Sequence, residues 1–245
     1  PTKVDIDNVK QIAAGENHTI FLKEDGTVWA TGRGYAGVLG LGDTEDRNIP
    51  TKVDIDNVKE VVVGDYHTIF LKEDGTVWAT GANNMGQLGI GYIEETSIPT
   101  KVNIDNVKEV VSGSRHIIFL KEDGTVWATG DNYYGQLGLG DNKDRYIPTK
   151  VDIDNVKKVV AGYEHTIFLK EDGTVWATGS SDQGQLGLGN TTRRYTPTKV
   201  DIDNVKEVVS GGSHTIFFKE DGTVWATGNN KAGQLGLGDN NNRNI

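Results

Sequence analysis

Every tryptophan in this chain lies 49 residues from the next: Trp29, Trp78, Trp127, Trp176 and Trp225. The five prolines (Pro1, Pro50, Pro99, Pro148, Pro197) and the five histidines (His18, His67, His116, His165, His214) keep the same interval. Five times 49 is 245, the length of the chain, so no linker or second domain is left to assign. A fixed period of this size means that one supersecondary unit is stacked on copies of itself, because a single unit cannot bury its own apolar faces.

All the signals inside one repeat are of the β type. Val61-Val62-Val63 is a short apolar run ending at Gly64, and His67-Thr68-Ile69-Phe70-Leu71 follows after two residues. Asp74-Gly75 then separates that run from Thr76-Val77-Trp78-Ala79-Thr80-Gly81, a strong hairpin signal between apolar segments. A long glycine-rich loop leads to Ile98-Pro99-Thr100-Lys101-Val102, where proline suits an edge strand. No segment keeps a 3.6-residue period, so no helix of note is expected. Four antiparallel strands, A to D, in a repeat of this length predict one blade of a β-propeller. The fold class is therefore all-β: five four-stranded antiparallel blades, with one tryptophan per blade as an inter-blade core anchor. The expected organisation is a single domain over 1–245, with repeats 1–49, 50–98, 99–147, 148–196 and 197–245. Residues 1–4 precede strand A and match the strand D missing after Trp225, so they are expected to complete the last blade and close the ring.

The runs GQLGLGD (135–141 and 233–239), AGYEHTIFL (161–169) and DGTVWATG (25–32 and its equivalents) resemble the regulator-of-chromosome-condensation repeat. The resemblance covers the whole chain, five times in register. It implies a propeller blade, in a family whose members are typically seven-bladed. The integral count and complementary ends favour a closed five-bladed ring here, over an excerpt of a larger ring or an open arc assembling with other chains. The family's functions include nucleotide exchange on a small GTPase, chromatin binding, β-lactamase inhibition and ultraviolet sensing, so fold alone does not choose among them. The protruding insertion of the exchange factors has no counterpart in these uniform repeats. The Gly-Trp-Arg-His-Thr run of the plant ultraviolet receptors is matched only by Gly113-Ser114-Arg115-His116-Ile117, without tryptophan.

The five copies also supply an internal comparison. Lys23–Gly32 and Ile6–Lys10 are identical in all five, whereas variation concentrates at the offsets of Glu16–Asn17, Arg33–Ala36 and Asp43–Asn48. These offsets fall in the A–B and C–D loops, which emerge on one propeller face. All eight tyrosines sit there: Tyr35, Tyr66, Tyr92, Tyr133, Tyr134, Tyr146, Tyr163 and Tyr195. So do all seven arginines: Arg33, Arg47, Arg115, Arg145, Arg193, Arg194 and Arg243. Fifteen of the eighteen lysines, by contrast, occupy repeated framework positions. Tyrosine and arginine dominate binding hot spots and paratopes. Drift in exposed loops explains variation on loops, but not why only two of four loops vary or why these two residue types segregate there. The candidate partner-binding residues are the eight tyrosines with Arg33, Arg115 and Arg193. Arg47, Arg145, Arg194 and Arg243 recur at one offset and read as structural.

Other motifs yield to simpler readings. Gly32-Arg33-Gly34-Tyr35-Ala36-Gly37 matches GxGxxG, but no helix follows it. The recurring GQLGLG lacks an adjoining base for a phosphate and reads as a loop folded onto the blade top. One histidine per blade gives no ligand spacing, and no Ser-His-Asp or Cys-His set recurs; the imidazole at the start of strand B reads as structural, bonding loop backbone. Asp5, Asp7 and Asp25 recur as solvated turns without calcium-loop spacing. Asn17-His18-Thr19 and Asn190-Thr191-Thr192 fit the N-glycosylation pattern, which matters only in a eukaryotic secretory route.

A formal charge of −10 argues against a nucleic-acid or anionic-membrane partner, and there are no cysteines for disulfides, thiolate metal sites or a thiol nucleophile. The chain does not begin with Met, so the missing leader is no guide to compartment. The function expected is a non-enzymatic protein-binding scaffold with no cofactor, no metal and no catalytic residue. A monomer is favoured, with an oligomer as the alternative if the ring does not close. Two other readings stand beside it: a recently amplified or engineered structural repeat with no ligand, and a multivalent lectin with one sugar site per blade, against which the unequal loops count.

Overall fold

The computed structural model describes all 245 residues. Blade 1 comprises β1 (Val9–Ala14), β2 (His18–Lys23), β3 (Val28–Gly32) and β4 (Arg47–Lys52). Blade 2 comprises β5 (Val58–Val63), β6 (His67–Lys72), β7 (Val77–Ala82) and β8 (Glu95–Lys101). Blade 3 comprises β9 (Val107–Ser112), β10 (His116–Lys121), β11 (Val126–Gly130) and β12 (Arg145–Lys150). Blade 4 comprises β13 (Val156–Ala161), β14 (His165–Lys170), β15 (Val175–Gly179) and β16 (Arg194–Lys199). Blade 5 has β17 (Val205–Ser210), β18 (His214–Lys219) and β19 (Val224–Gly228). Each sheet is an antiparallel meander in chain order, and the A strands β1, β5, β9, β13 and β17 touch in succession along the inner side. The only helical element is a 3-10 turn at Tyr35–Gly37.

The strand sequence explains the stacking. Successive side chains on a strand point to opposite faces, and here both faces are apolar. In β6, Ile69 and Leu71 pack forward against Val107, Val110 and Phe119 of blade 3, while Phe70 packs backward against Ile20, Leu22 and Val28 of blade 1. Val77 and Ala79 of β7 join the forward side. Four such seams form the core. The fully buried aromatics in them are Phe70, Phe119 and Phe168. The tryptophans, expected as the anchors, are only half-buried at the seam margin in blades 1 to 4, each under a lysine ammonium 5.5–5.7 Å from its ring centre. Strand C lies one strand further from the inner side than strand B, and the lysine stem covers what the neighbouring blade does not.

Ring closure by the N-terminus is not found. Residues 1–4 lie outside every strand and are exposed, and blade 5 ends in three strands plus a single bridge between Gly228 and Arg243. Ile12 of the first blade is 62% exposed where its equivalent Val61 is 1% exposed, and Trp225 is 56% exposed. The physical reason lies in the seams. The angle between neighbouring blades is set by close packing of the same side chains at every seam. Five equal angles need not make a full turn, and one short strand does not deform four packed seams to force one.

The histidines lock these seams from the start of strand B. Their Nε2 atoms meet hydroxyls of the following blade: His18 with Thr68 at 3.3 Å, His67 with Ser112 at 2.8 Å, His116 with Thr166 at 3.1 Å and His165 with Thr215 at 3.2 Å. The partners are side-chain hydroxyls across the seam rather than the loop backbone expected from sequence. A buried imidazole between two apolar sheets needs a polar partner, and Thr at the second position of strand B supplies it except in blade 3, where Ile117 holds that position and Ser112 at the end of β9 takes its place. Burial pushes the imidazoles down from 6.5, to about 3 in His67, His116 and His165 and about 4 in His18. An unfolded chain takes up these protons near pH 6.5 while the fold does not. The stability from neutral histidines is therefore complete above pH 6.5 and falls as pH drops below it. The slope is about 1.4 kcal/mol per pH unit for each titrating histidine. Urea denaturation between pH 7 and pH 5 is expected to show this loss, with the slope smaller by about one proton in His116→Gln. An unchanged slope in that variant would count against the assignment.

Candidate recognition face

The two variable loops of each blade are tied together by backbone. The A–B loop is a tight turn in which a glycine N–H donates to the carbonyl of the histidine three residues on, as in Gly64 to His67 at 3.0 Å. Its last residue accepts from the first residue of the C–D loop in every blade: Arg33 to Asn17, Ala82 to Tyr66, Asp131 to Arg115, Ser180 to Glu164 and Asn229 to Ser213, at 2.8–2.9 Å. The identical framework thus presents ten loops side by side on one face.

The GQLG segment fixes the rest of the C–D loop. The glutamine side-chain oxygen accepts from the backbone N–H two residues earlier, as in Tyr134 to Gln136 at 2.9 Å. Leu88, Leu137 and Leu186 are fully buried. The carbonyls of Gly37, Gly86, Gly135 and Gly184 accept from Thr80, Thr129, Thr178 and Thr227 of the following blade at 2.8–2.9 Å. Each C–D loop therefore leans over the next seam. Gly86 and Gly135 take φ of 81° and 85° with no room for a Cβ against the neighbouring strand, so glycine is required there.

The tyrosines follow that lean, and most of their ring contacts join one blade to its neighbour. Tyr35 of blade 1 meets Tyr66 of blade 2 edge-on at 5.7 Å, with Arg33 over Tyr35 at 5.3 Å. Tyr92 of blade 2 stacks on Tyr146 of blade 3 at 4.5 Å, and the Tyr146 hydroxyl donates to the Asn84 carbonyl at 3.0 Å. Tyr133 and Tyr134 of blade 3 form an edge-on pair at 4.9 Å, and Arg193 of blade 4 lies 4.3 Å from the Tyr134 centroid and 3.4 Å from the Asp182 carboxylate. Tyr163 lies against Gly212 of blade 5, and Tyr195 against Gly135 of blade 3. Of the eight, Tyr35, Tyr92, Tyr133, Tyr163 and Tyr195 remain exposed.

The candidate residues do not form one cluster. Tyr35, Tyr66 and Arg33 stand apart at blades 1 and 2; Tyr92 precedes the outer strand β8, whereas Tyr146 and Tyr195, expected in loops, are the second residues of the outer strands β12 and β16, because pairing with strand C begins one residue earlier at Arg145 and Arg194. Arg115 and Tyr163 share a groove of about 430 Å³ with Glu16, Asp65, Ser114, Asp131 and Glu164. Arg115 also lines the adjoining groove of about 570 Å³, with Tyr133, Tyr134, Met85 and Asp144. The carboxylates in these grooves escape a search for tyrosine and arginine. Their signal in the sequence is that Glu16, Asp65, Asp131 and Glu164 occupy the same variable offsets. Burial, with Asp131 and Asp182 nearby, raises Glu164 above the ordinary carboxylate range. The Tyr66 hydroxyl is raised by its hydrogen bond to Glu16.

The recurring arginines are structural, as expected. Arg47, Arg145 and Arg243 each pair with an aspartate four residues earlier, at 2.6, 2.8 and 2.6 Å, and Arg194 meets Asn190 at 3.2 Å. Each also caps carbonyls of its own loop, as Arg145 does for Lys143. Asp25 is likewise used locally, accepting from the Thr27 amide at 3.0 Å and the Thr27 hydroxyl at 2.6 Å.

The family model for the RCC1-like domain matches residues 1–245. The chain belongs to the RCC1-like domain family. A human relative, the X-linked retinitis pigmentosa GTPase regulator, is 55% identical over 42 residues, which are 17% of this chain and 4% of that protein. Among solved structures, the yeast RCC1 (Prp20) bound to Kap60 is 25% identical with a TM-score of 0.86, covering 97% of this chain and 60% of that one. Prp20p from Saccharomyces cerevisiae, described with its binding properties to Gsp1p and histones, is 26% identical with a TM-score of 0.85, covering 97% and 62%. This RCC1-like chain therefore spans under two thirds of the length of these relatives.

The loop ion pairs give a direct check. Arg145 holds the Asp141 carboxyl below its ordinary range, chiefly through their hydrogen bond. In Arg145→Ala, the Asp141 titration followed by NMR is expected to move up towards the ordinary value, at a stability cost of about 1 kcal/mol or less because the pair is partly exposed. A carboxyl that does not move would remove Arg145 from the loop framework.

Proposed function

We propose that this RCC1-like chain is a non-enzymatic protein-recognition scaffold that engages its partner through the A–B and C–D loops of one face. The observation carrying this reading is the segregation of residue types. Lys23–Gly32 and Ile6–Lys10 repeat without change, while every tyrosine and arginine lies at a variable offset, in loops that the backbone ties to a common face or at the start of the outer strand that follows them. The tyrosine contacts between blades fit it as well, because rings already packed lose little freedom on binding. Tyr133, Tyr134 and Tyr163 line the two acidic grooves with Arg115, and together with Arg193, which packs on Tyr134, they form the proposed centre of the contact. Tyr35, Tyr66 and Arg33, together with Tyr92, Tyr146 and Tyr195, extend it around the rim. The relatives support the class of function: Prp20 is seen with Kap60 and is described with Gsp1p and histones. A lectin would carry five similar loop sets, and Glu16–Asn17, Asp65–Tyr66, Ser114–Arg115, Tyr163–Glu164 and Gly212–Ser213 are all different.

The test replaces Tyr133, Tyr134 and Tyr163 together by alanine. These side chains are exposed or half-exposed, so each change is expected to shift stability by roughly 0.5 kcal/mol or less. Binding to a protein captured by the parent chain is expected to fall at least about tenfold. Full retention of binding by the folded triple variant would contradict the reading.

A further inference from the structure

The A strands turn a bare backbone edge to the inner side of the propeller. In blade 2 the Gly64 N–H donates to the His67 carbonyl, and bonded and non-bonded pairs alternate from there. Val61, opposite Phe70, therefore turns its N–H and C=O away from strand B. At the seam between blades 1 and 2 one side chain satisfies both groups. Gln11 Nε2 donates to the Val61 carbonyl at 3.0 Å, and the Val61 N–H donates to Gln11 Oε1 at 3.0 Å. A carboxamide does this because it carries a donor and an acceptor side by side.

Val110 and Val159 hold the same place in blades 3 and 4. They lie opposite Phe119 and Phe168, three residues before a glycine that donates to the strand B histidine, so their N–H and C=O also turn inward. The residues at the Gln11 offset across these two seams are Glu60 and Glu109. Both are half-buried, and neither carboxylate makes a hydrogen bond. The charged groups around Glu60 are Lys59 on its own strand and Glu109 on β9; those around Glu109 are Lys108 on its own strand and Lys158 on β13. Lys59 is directed to the Lys108 carbonyl at 3.5 Å, and Lys158 pairs with Glu207 at 3.5 Å, so the fourth seam is spanned by opposite charges. An ionised carboxylate accepts from an N–H but has no donor for the carbonyl beside it. A protonated carboxyl has the donor and the acceptor that Gln11 uses. Burial raises both groups above the ordinary carboxylate range, with the Glu109 carboxylate adding to the rise of Glu60.

We propose that Glu60 and Glu109 are proton-operated clasps of the second and third seams: protonated, each bridges the backbone of the next A strand, at Val110 and Val159, as Gln11 bridges Val61, and on ionisation each lets go of the carbonyl. An unfolded chain gives up these protons in the ordinary carboxylate range, whereas the fold holds them to higher pH. The clasps' contribution to stability is therefore complete below that range and is lost as pH rises through the raised folded values. It is opposite in sign to that of the histidines. The two seams join blades 2, 3 and 4, whose A–B loops supply Asp65, Ser114, Arg115, Tyr163 and Glu164 to the groove above, so acidification tightens the part of the ring that carries it.

The experiment compares the full chain with Glu60→Gln/Glu109→Gln and with Glu60→Met/Glu109→Met, which removes the charges without supplying a bond. In urea denaturation the Gln pair is expected to raise the folding equilibrium constant about tenfold at pH 7.5, and this gain is expected to fall at least about twofold by pH 5, where the parent carries the same bonds. Histidine titration is common to all three chains and cancels in the comparison. Amide hydrogen exchange reads the clasp directly. At pH 7.5 the Val110 and Val159 protection factors are expected to rise at least about tenfold in the Gln pair and to stay at the parent value in the Met pair, and in the parent they are expected to rise between pH 7.5 and pH 5. Equal protection of these amides in the parent, Gln and Met chains overturns the proposal, as does a rise of the same size in the Met pair, or a gain in stability that is the same at both pH values.

Discussion

The seam between neighbouring blades is the interaction on which everything else in this structure depends. A strand that alternates Ile-Phe-Leu, as Ile69-Phe70-Leu71 does, has no polar face to give to water. It is stable only between two other sheets. The chain answers by repeating the same strand five times, so that the forward Ile and Leu of one blade cover the backward Val and Phe of the next. Stability is then a sum of nearest-neighbour contacts. Its weak points are at the two ends, where Ile12 and Val224 have no neighbour to cover them.

The same seams position the loops. Threonines of one blade bond the carbonyls of the preceding C–D loop, histidines bond hydroxyls of the following blade, and leucines of the GQLG segment are buried beneath. None of these contacts uses the side chains at the variable offsets. The loops are consequently free to change sequence while their backbones stay fixed, which is the separation of framework from specificity that a recognition surface needs. The tyrosines use part of that freedom on one another, since Tyr92–Tyr146 and Tyr35–Tyr66 bridge adjacent blades. A ring held by a neighbour presents a rigid face to a partner.

Much of this was legible in the residues because repetition multiplies weak signals. The Asp-Gly turns, the apolar runs and the proline before strand D placed the four strands of an inner blade, and comparison of the copies placed the variable loops. Three features were not legible. Tryptophan is the larger residue, but strand order decides burial, and Phe70 on strand B lies deeper than Trp78 on strand C. Closure of the ring was inferred from matching ends at Pro1–Val4 and Trp225, whereas the angle at each seam is a packing property that no pattern encodes. The histidine partners Thr68, Thr166 and Thr215 lie 50 residues away, in the next blade, where a reading of one repeat does not look. At the site, the tyrosines and arginines stood out by type. The acidic residues of the grooves did not, because Glu and Asp also occur throughout the framework turns.

Hydrogen–deuterium exchange along the whole chain measures the central claim, that stability is built seam by seam. Blades 2 to 4 have a seam on both faces, and their B and C strands, β6–β7, β10–β11 and β14–β15, should exchange slowest. Strands β18 and β19, with a seam on one face and an incomplete sheet edge, should exchange first, and β2 and β3 should fall between. Protection in β18 and β19 equal to that in β10 and β11 would contradict the account, because it would mean that blade 5 is held by something other than its single seam.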